Sequence, residues 1–206
     1  MSKKNHWEAI YRRGSSTELG WYQADPKVSL RLIHESGIRT SQRIIDVGGG
    51  ASLLVDNLIR LGFEDLTVLD LSQAALTESQ RRLGRAADGV SWIAQDVTTF
   101  RSAKTFDLWH DRAALHFLTR RHDRERYRET IRQALNPGGT AIIGTFALGG
   151  RRRCAGLWVR RYGEADIRRL LGSEFHLLSS IREVHLTPSG VEQPYSYFVV
   201  KREKAA

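Results

Sequence analysis

Cysteine is almost absent from this 206-residue sequence, where Cys154 stands alone. One thiol cannot close an internal disulfide or build a cysteine-cluster zinc site, and such scarcity fits the reducing cytoplasm, the expected location. Patterns such as His-x-x-x-His with a further acid are missing, so no metal is expected. No stretch approaches the roughly 18 apolar residues of a membrane span, which argues against a membrane role. The opening MSKKNHWEAIYRRG lacks the apolar centre of a secretory signal. Repeats, low-complexity tracts and Pro/Gly-rich linkers are also missing. What remains, 41% hydrophobic and 27% charged, is the composition of a folded chain. Its length suits one domain with a full core and no covalent staples.

Lysine is missing from residues 112–169, yet that segment holds fourteen arginines against five acids. The other residues carry 18 basic and 18 acidic side chains, so the whole net charge of +9 sits in one stretch. Such a stretch is either a solvated surface or a face for an acidic partner.

The pattern then alternates. Residues 5–13 and 26–37 read as helices, separated by a turn-rich loop carrying Trp21 and Tyr22. RIIDV at 43–47 is a short β-branched run ending in Gly48-Gly49-Gly50. A helix over 52–61, a strand at 66–69, a helix from Ser72 to about Leu83 and strands at 90–94 and 106–110 follow. A helix over 121–135 stops at Asn136-Pro137-Gly138-Gly139, before a strand at 140–146 and a short helix at 164–171. Strands at 175–186 and 195–200 close the chain. Alternating strands and helices imply right-handed crossovers and a parallel sheet. The last two strands have only a loop between them and must be antiparallel. The expected fold is α/β: an open, doubly wound, mostly parallel seven-stranded sheet with an antiparallel strand near the edge, helices on both faces and an N-terminal helical extension. The expected division is an extension or lid over residues 1–39 and the main domain over 40–206.

In such sheets ligands bind at the carboxyl ends of the strands. Asp46 and Gly48–Gly50 stand at the first of these ends, where glycine lets the backbone approach a ligand. A dinucleotide fingerprint would need a third glycine at position 53, which is Leu53, and no P-loop lysine follows. Asp70 ends the second strand, where a carboxylate can take both hydroxyls of a ribose. Asp96 follows the third, where it can accept from an exocyclic amine while Val97 packs on a base. A ligand with an amino-acid end, a ribose and an adenine would satisfy all three.

Five segments in this order resemble the class I S-adenosylmethionine-dependent methyltransferases: IIDVGGGAS, LTVLDLS, AQDV, FDLWHDRA and LNPGGTAIIGTF. The resemblance spans about residues 40–147, with Ser52 where that family usually has a third glycine. It implies S-adenosyl-L-methionine as cofactor and S-adenosyl-L-homocysteine as product. Asp46, Gly48, Gly49 and Gly50 would meet the methionine end, Asp70 the ribose, and Asp96 and Val97 the adenine. Leu71 is counted with the cofactor contacts, as is Trp21, an acceptor-side candidate whose aromatic face can pack beside a sulfonium. Weaker resemblances run to two subgroups. DRAAL at 111–115 with Trp7-x-x-x-Tyr11 is similar to thiol and thiopurine S-methyltransferases. Gly20-Trp21-Tyr22-Gln23 is similar to elongation-factor-type protein lysine methyltransferases.

The acceptor side is expected beyond the fourth and fifth strands. His110 or His116 could take a proton from a thiol, hydroxyl or amine, with Asp111 as their catalytic neighbour. Tyr22, Arg112, Arg151 and Arg153 are the candidate acceptor-binding residues, the arginines for a carboxylate or phosphate. The leading expectation is methylation of a small molecule, an acidic one being favoured by the arginines, on sulfur, nitrogen or oxygen. A protein lysine, an RNA, or a non-catalytic cofactor-binding role stays open, as does the oligomeric state.

Overall fold

The structure is a computed structural model, described over residues 2–204. Its centre is a sheet of seven strands: β1 (Arg43–Val47), β2 (Asp65–Asp70), β3 (Val90–Ala94), β4 (Phe106–Arg112), β5 (Leu135–Phe146), β8 (Phe175–Leu186) and β9 (Glu192–Arg202). They lie in the order β3-β2-β1-β4-β5-β9-β8. The first five run parallel, and β9 is antiparallel to both β5 and β8. The reversed strand therefore sits one place in from the edge, as the loop-only connection requires. A two-stranded hairpin, β6 (Arg153–Cys154) and β7 (Leu157–Trp158), was not foreseen, because two-residue strands leave no periodic signal.

Helices flank both faces. Leu32 and Ile33 of α2 (Lys27–Glu35) and Leu54, Val55 and Leu58 of α3 (Leu54–Arg60) pack with Ile44 and Leu108, as does Leu76 of α4 (Gln73–Leu83). On the other face Tyr127, Ile131 and Ala134 of α5 (Arg121–Ala134) and Ile167 and Leu171 of α6 (Glu164–Leu171) pack with Ile45, Trp109 and Phe198. Alternate residues of each strand feed the two cores, which is why the parallel strands read as continuous apolar runs. Ser72 caps α4 by accepting from the Ala75 N–H at 3.2 Å.

Two boundaries differ from expectation. α5 ends at Ala134, before the expected stop at Asn136–Gly139: Leu135 is already extended and opens the strand, and the four residues form a bulge in β5. The cause is Leu135, fully buried opposite Phe106, which recruits the segment into the sheet. The last strand is longer than its apolar run because Glu192–Pro194 keep pairing with β8.

α1 (Lys3–Arg13) crosses the carboxyl end of the sheet without burying any residue. Side chains hold it there. Lys3 Nζ donates to the Phe117 carbonyl and Asp123, His6 Nε2 donates to the Ala155 carbonyl, and Glu8 accepts from the Gln73 N–H at 2.6 Å.

The turn after β4 is braced by a buried polar network. Asp111 accepts from the N–H groups of Ala114 and Leu115 and from the Tyr127 hydroxyl at 2.7 Å, while Trp109 Nε1 donates to the same hydroxyl at 3.1 Å. Removing that hydroxyl strands a donor and a carboxylate together. Tyr127→Phe is expected to lower stability by about 1–3 kcal/mol, read as a lower urea midpoint with unchanged slope.

Candidate active site

The ends of β1, β2, β3 and β4 meet below α1 and enclose two adjoining cavities. The first is lined by Asp70, Leu71, Asp96 and Val97 on one side and by Arg112, Phe117 and Cys154 on the other, with Lys3, Trp7, Tyr11 and Trp21 above. The second is lined by Asp46, Gly48, Gly49, Ser52, Ser29 and His110, with Tyr22 and Gln23 at its side. Tyr11, Trp21, Gly48 and Arg112 belong to both walls.

The glycine turn is shaped by the acids beneath it. A Cβ on Gly49 would overlap Asp46 Oδ2, and one on Gly50, at φ +31°, would lie 2.6 Å from Asp70 Oδ2. Only glycine lets the backbone pass this close to both carboxylates. Asp70 Oδ1 accepts from the Ser72 N–H at 2.8 Å. Burial under α1 still pushes the Asp70 carboxyl up to about 7, with Asp46 adding to the rise. Asp96 Oδ1 accepts from both the N–H and the hydroxyl of Thr98, each at 2.8 Å. Asp70, Leu71, Asp96 and Val97 thus share the wall of the first cavity with Gly48.

The acceptor candidates separate. Arg112 Nε donates to the Tyr197 hydroxyl at 3.0 Å and Nη1 to the Trp21 carbonyl at 2.9 Å, and the guanidinium lies 4.6 Å from the Tyr195 ring centre. Its buried Nη2 has no hydrogen-bond partner among the described residues. Asp111 and His116 line neither cavity. Asp111 is the brace described above, its carboxyl pushed up to about 6 by burial. The His116 ring is enclosed by Phe117 and Phe146, and burial together with the Arg112 charge lowers it to about 3, a weak base. His110 reaches the second cavity but is tied by both nitrogens, to Asp46 and to Ser29. Arg151 and Arg153 are exposed on the hairpin side, outside both cavities, and Arg153 stacks on Trp158 at 4.2 Å.

Trp7 and Tyr11, noted in the sequence only for a resemblance, and Cys154, given no site role there, all line the first cavity. Trp7 meets Trp21 and Phe117 edge to face at 5.6 and 4.9 Å, and the Tyr11 hydroxyl accepts from Trp21 Nε1 at 3.1 Å. Their spacing of one helical turn was the available signal. Cys154 had none, and burial pushes its thiol up to about 11, so it stays protonated. Among the described residues no cluster suits a metal ion, and no helix is long and apolar enough to cross a membrane.

The methyltransferase domain family matches residues 44–139. The ubiquinone/menaquinone biosynthesis C-methyltransferase UbiE of Roseobacter denitrificans is 31% identical over 113 residues, 53% of this chain and 44% of that protein. The eEF1A lysine and N-terminal methyltransferase of Mus musculus is 21% identical over 154 residues, 74% of this chain and 21% of that protein. This chain thus spans less than half the length of either relative. A similar solved fold is the Burkholderia thailandensis 1,6-didemethyltoxoflavin-N1-methyltransferase with 1,6-didemethyltoxoflavin and S-adenosylhomocysteine bound. Its TM-score is 0.78 at 20% identity, over 98% of this chain and 87% of that one.

The raised Asp70 carboxyl makes ligand binding pH-dependent. Its pKa is higher folded than unfolded, so the stability it contributes is present below about pH 4 and lost as pH rises through about 7. Asp70 becomes an anion over that same rise, the state that the expected ribose contact requires. Affinity for S-adenosylhomocysteine is expected to increase roughly tenfold from about pH 6 to about pH 8 by calorimetry, and Asp70→Asn is expected to flatten the profile.

Proposed function

We propose that this chain, whose residues 44–139 match the methyltransferase domain family and whose fold is shared with an S-adenosylhomocysteine-binding methyltransferase, methylates a small acidic molecule on sulfur, nitrogen or oxygen. Arg112 carries this reading. Its guanidinium stands in the wall shared by the two cavities, makes no ion pair among the described residues, and holds one buried N–H without a partner. A buried cation is costly unless an anion meets it. A carboxylate or a similarly charged group on the acceptor supplies that anion, whereas the ammonium of a lysine acceptor would be repelled at this place.

The residues divide the work accordingly. S-adenosylmethionine, when bound, supplies an electrophilic methyl on a cationic sulfur. Asp70, Asp96 and Val97 hold its adenosine, and Asp46 and the glycine turn hold its amino-acid end. The aromatic side chains of Trp7, Tyr11, Trp21 and Phe117 enclose the acceptor half of the first cavity and exclude water. Arg112 orients the acceptor so that its nucleophile faces the methyl, and positioning of this kind supplies much of the rate in a displacement. No side chain of the first cavity is a strong base poised at the acceptor. An acceptor that arrives as an anion needs none.

Incubation of the protein with methyl-labelled S-adenosylmethionine and a host lysate, followed by separation of metabolites, protein and RNA, tests the reading. Label is expected among metabolites retained on an anion exchanger. Label in a protein band would instead favour a lysine acceptor, and label in RNA would make the arginine-rich surface a nucleic-acid footprint. With the acceptor in hand, Arg112→Gln is expected to raise its KM by about tenfold or more, with a smaller change in the affinity for S-adenosylhomocysteine. A KM that does not move would sink the anion assignment.

A further inference from the structure

Asp46, His110 and Ser29 form a hydrogen-bonded chain across β1, β4 and α2 that methyl transfer itself does not use. His110 Nδ1 lies 2.7 Å from Asp46 Oδ1, and Nε2 lies 2.9 Å from Ser29 Oγ. The three residues are 4%, 3% and 1% exposed, and all line the second cavity. A carboxylate only accepts, so Nδ1 carries a proton and donates to Asp46, while Nε2 and the Ser29 hydroxyl share the second hydrogen bond.

This arrangement commits one oxygen of Asp46 and aims the other. Oδ1 is taken by the ring, and Oδ2 lies directly under Gly49, where no side chain could fit. Without the ring, a buried carboxylate would lose its donor and with it the reason to hold this orientation. Among the residues lining the second cavity Asp46 is the one carboxylate. It complements the ammonium of an α-amino acid.

We propose that His110 is a positioning residue for the amino-acid end of the cofactor. It acts through Asp46, and it is itself held by Ser29 on the helix that follows the Tyr22–Pro26 rim of the cavity. The inference rests on the cofactor assignment above. A merely structural role would weaken every ligand of the site alike. A positioning role weakens only ligands that carry the amino-acid end.

The test is calorimetric titration of the full chain with S-adenosylhomocysteine and with 5′-methylthioadenosine, which keeps the adenosine and lacks the amino-acid end. His110→Leu is expected to lose about tenfold or more in affinity for the first and to stay within about twofold for the second. His110→Asn, which returns an N–H donor near the Nδ1 position, is expected to recover most of the loss. Ser29→Ala is expected to show the same selectivity at about threefold. Equal losses for both ligands, or no loss for either, overturn the proposal. If His110→Leu does not fold, the Asn and Ser29 variants carry the same criterion. Failure of the unaltered protein to bind either ligand would overturn the cofactor assignment instead, a result distinct from a change in selectivity.

Discussion

Carboxylates buried at the carboxyl ends of parallel strands are the constraint around which this molecule is arranged. Asp46, Asp70 and Asp111 end or nearly end β1, β2 and β4; Asp46 and Asp111 are buried, and Asp70 is half-buried in the wall of the first cavity. A buried carboxylate is tolerable only when donors are brought to it. The fold brings them in three ways. His110 and Ser29 tie Asp46 to β4 and α2. The Ser72 N–H meets Asp70 where α4 begins. Two N–H groups and the Tyr127 hydroxyl meet Asp111 and so shape the turn after β4. Asp70 has fewer donors than Asp111, and its carboxyl is raised further.

Above these acids lies a roof of a different kind. α1 buries no residue and is attached by side chains from Lys3, His6, Glu8 and Tyr11. Trp7 touches both Trp21 and Phe117, so one indole joins α1, the following loop and the turn after β4. Edge contacts and exposed hydrogen bonds cost little to break compared with a sheet core. The cavity therefore has a floor fixed by the central strands and a cover held weakly.

The arginine-rich segment shows how a charge count differs from a charge map. Arg121, Arg132 and Arg160 pair with Glu125, Glu129 and Asp166, and Arg124 donates to the carbonyls of Leu118 and Thr119. Arg153 lies on an exposed indole. Of the fourteen, Arg112 is the one that lines the two cavities. A guanidinium there has far more electrostatic leverage than several on a screened surface.

Much of the fold could be read from the sequence by itself, because it rests on local rules. Apolar runs with the period of strand or helix, a capping serine and a loop-only final connection fix the order of elements and the reversed strand. Asp46, the three glycines, Asp70 and Asp96 stand out for the same reason, since each follows a strand at its carboxyl end. Local rules end where contacts are long-range. That His110 would be tied between Asp46 and Ser29, that His116 would pack against Phe146, and that Cys154 would face one cavity with Trp7 and Tyr11 depend on residues 30 to 147 positions apart coming together. A two-residue hairpin and a bulge driven by one buried leucine carry no periodicity to detect. The sequence alone determined which chemistry stands at the strand ends. Only the tertiary structure decided which of those side chains are free to meet a ligand, because burial and hydrogen bonding, not residue type, set whether a group is already satisfied.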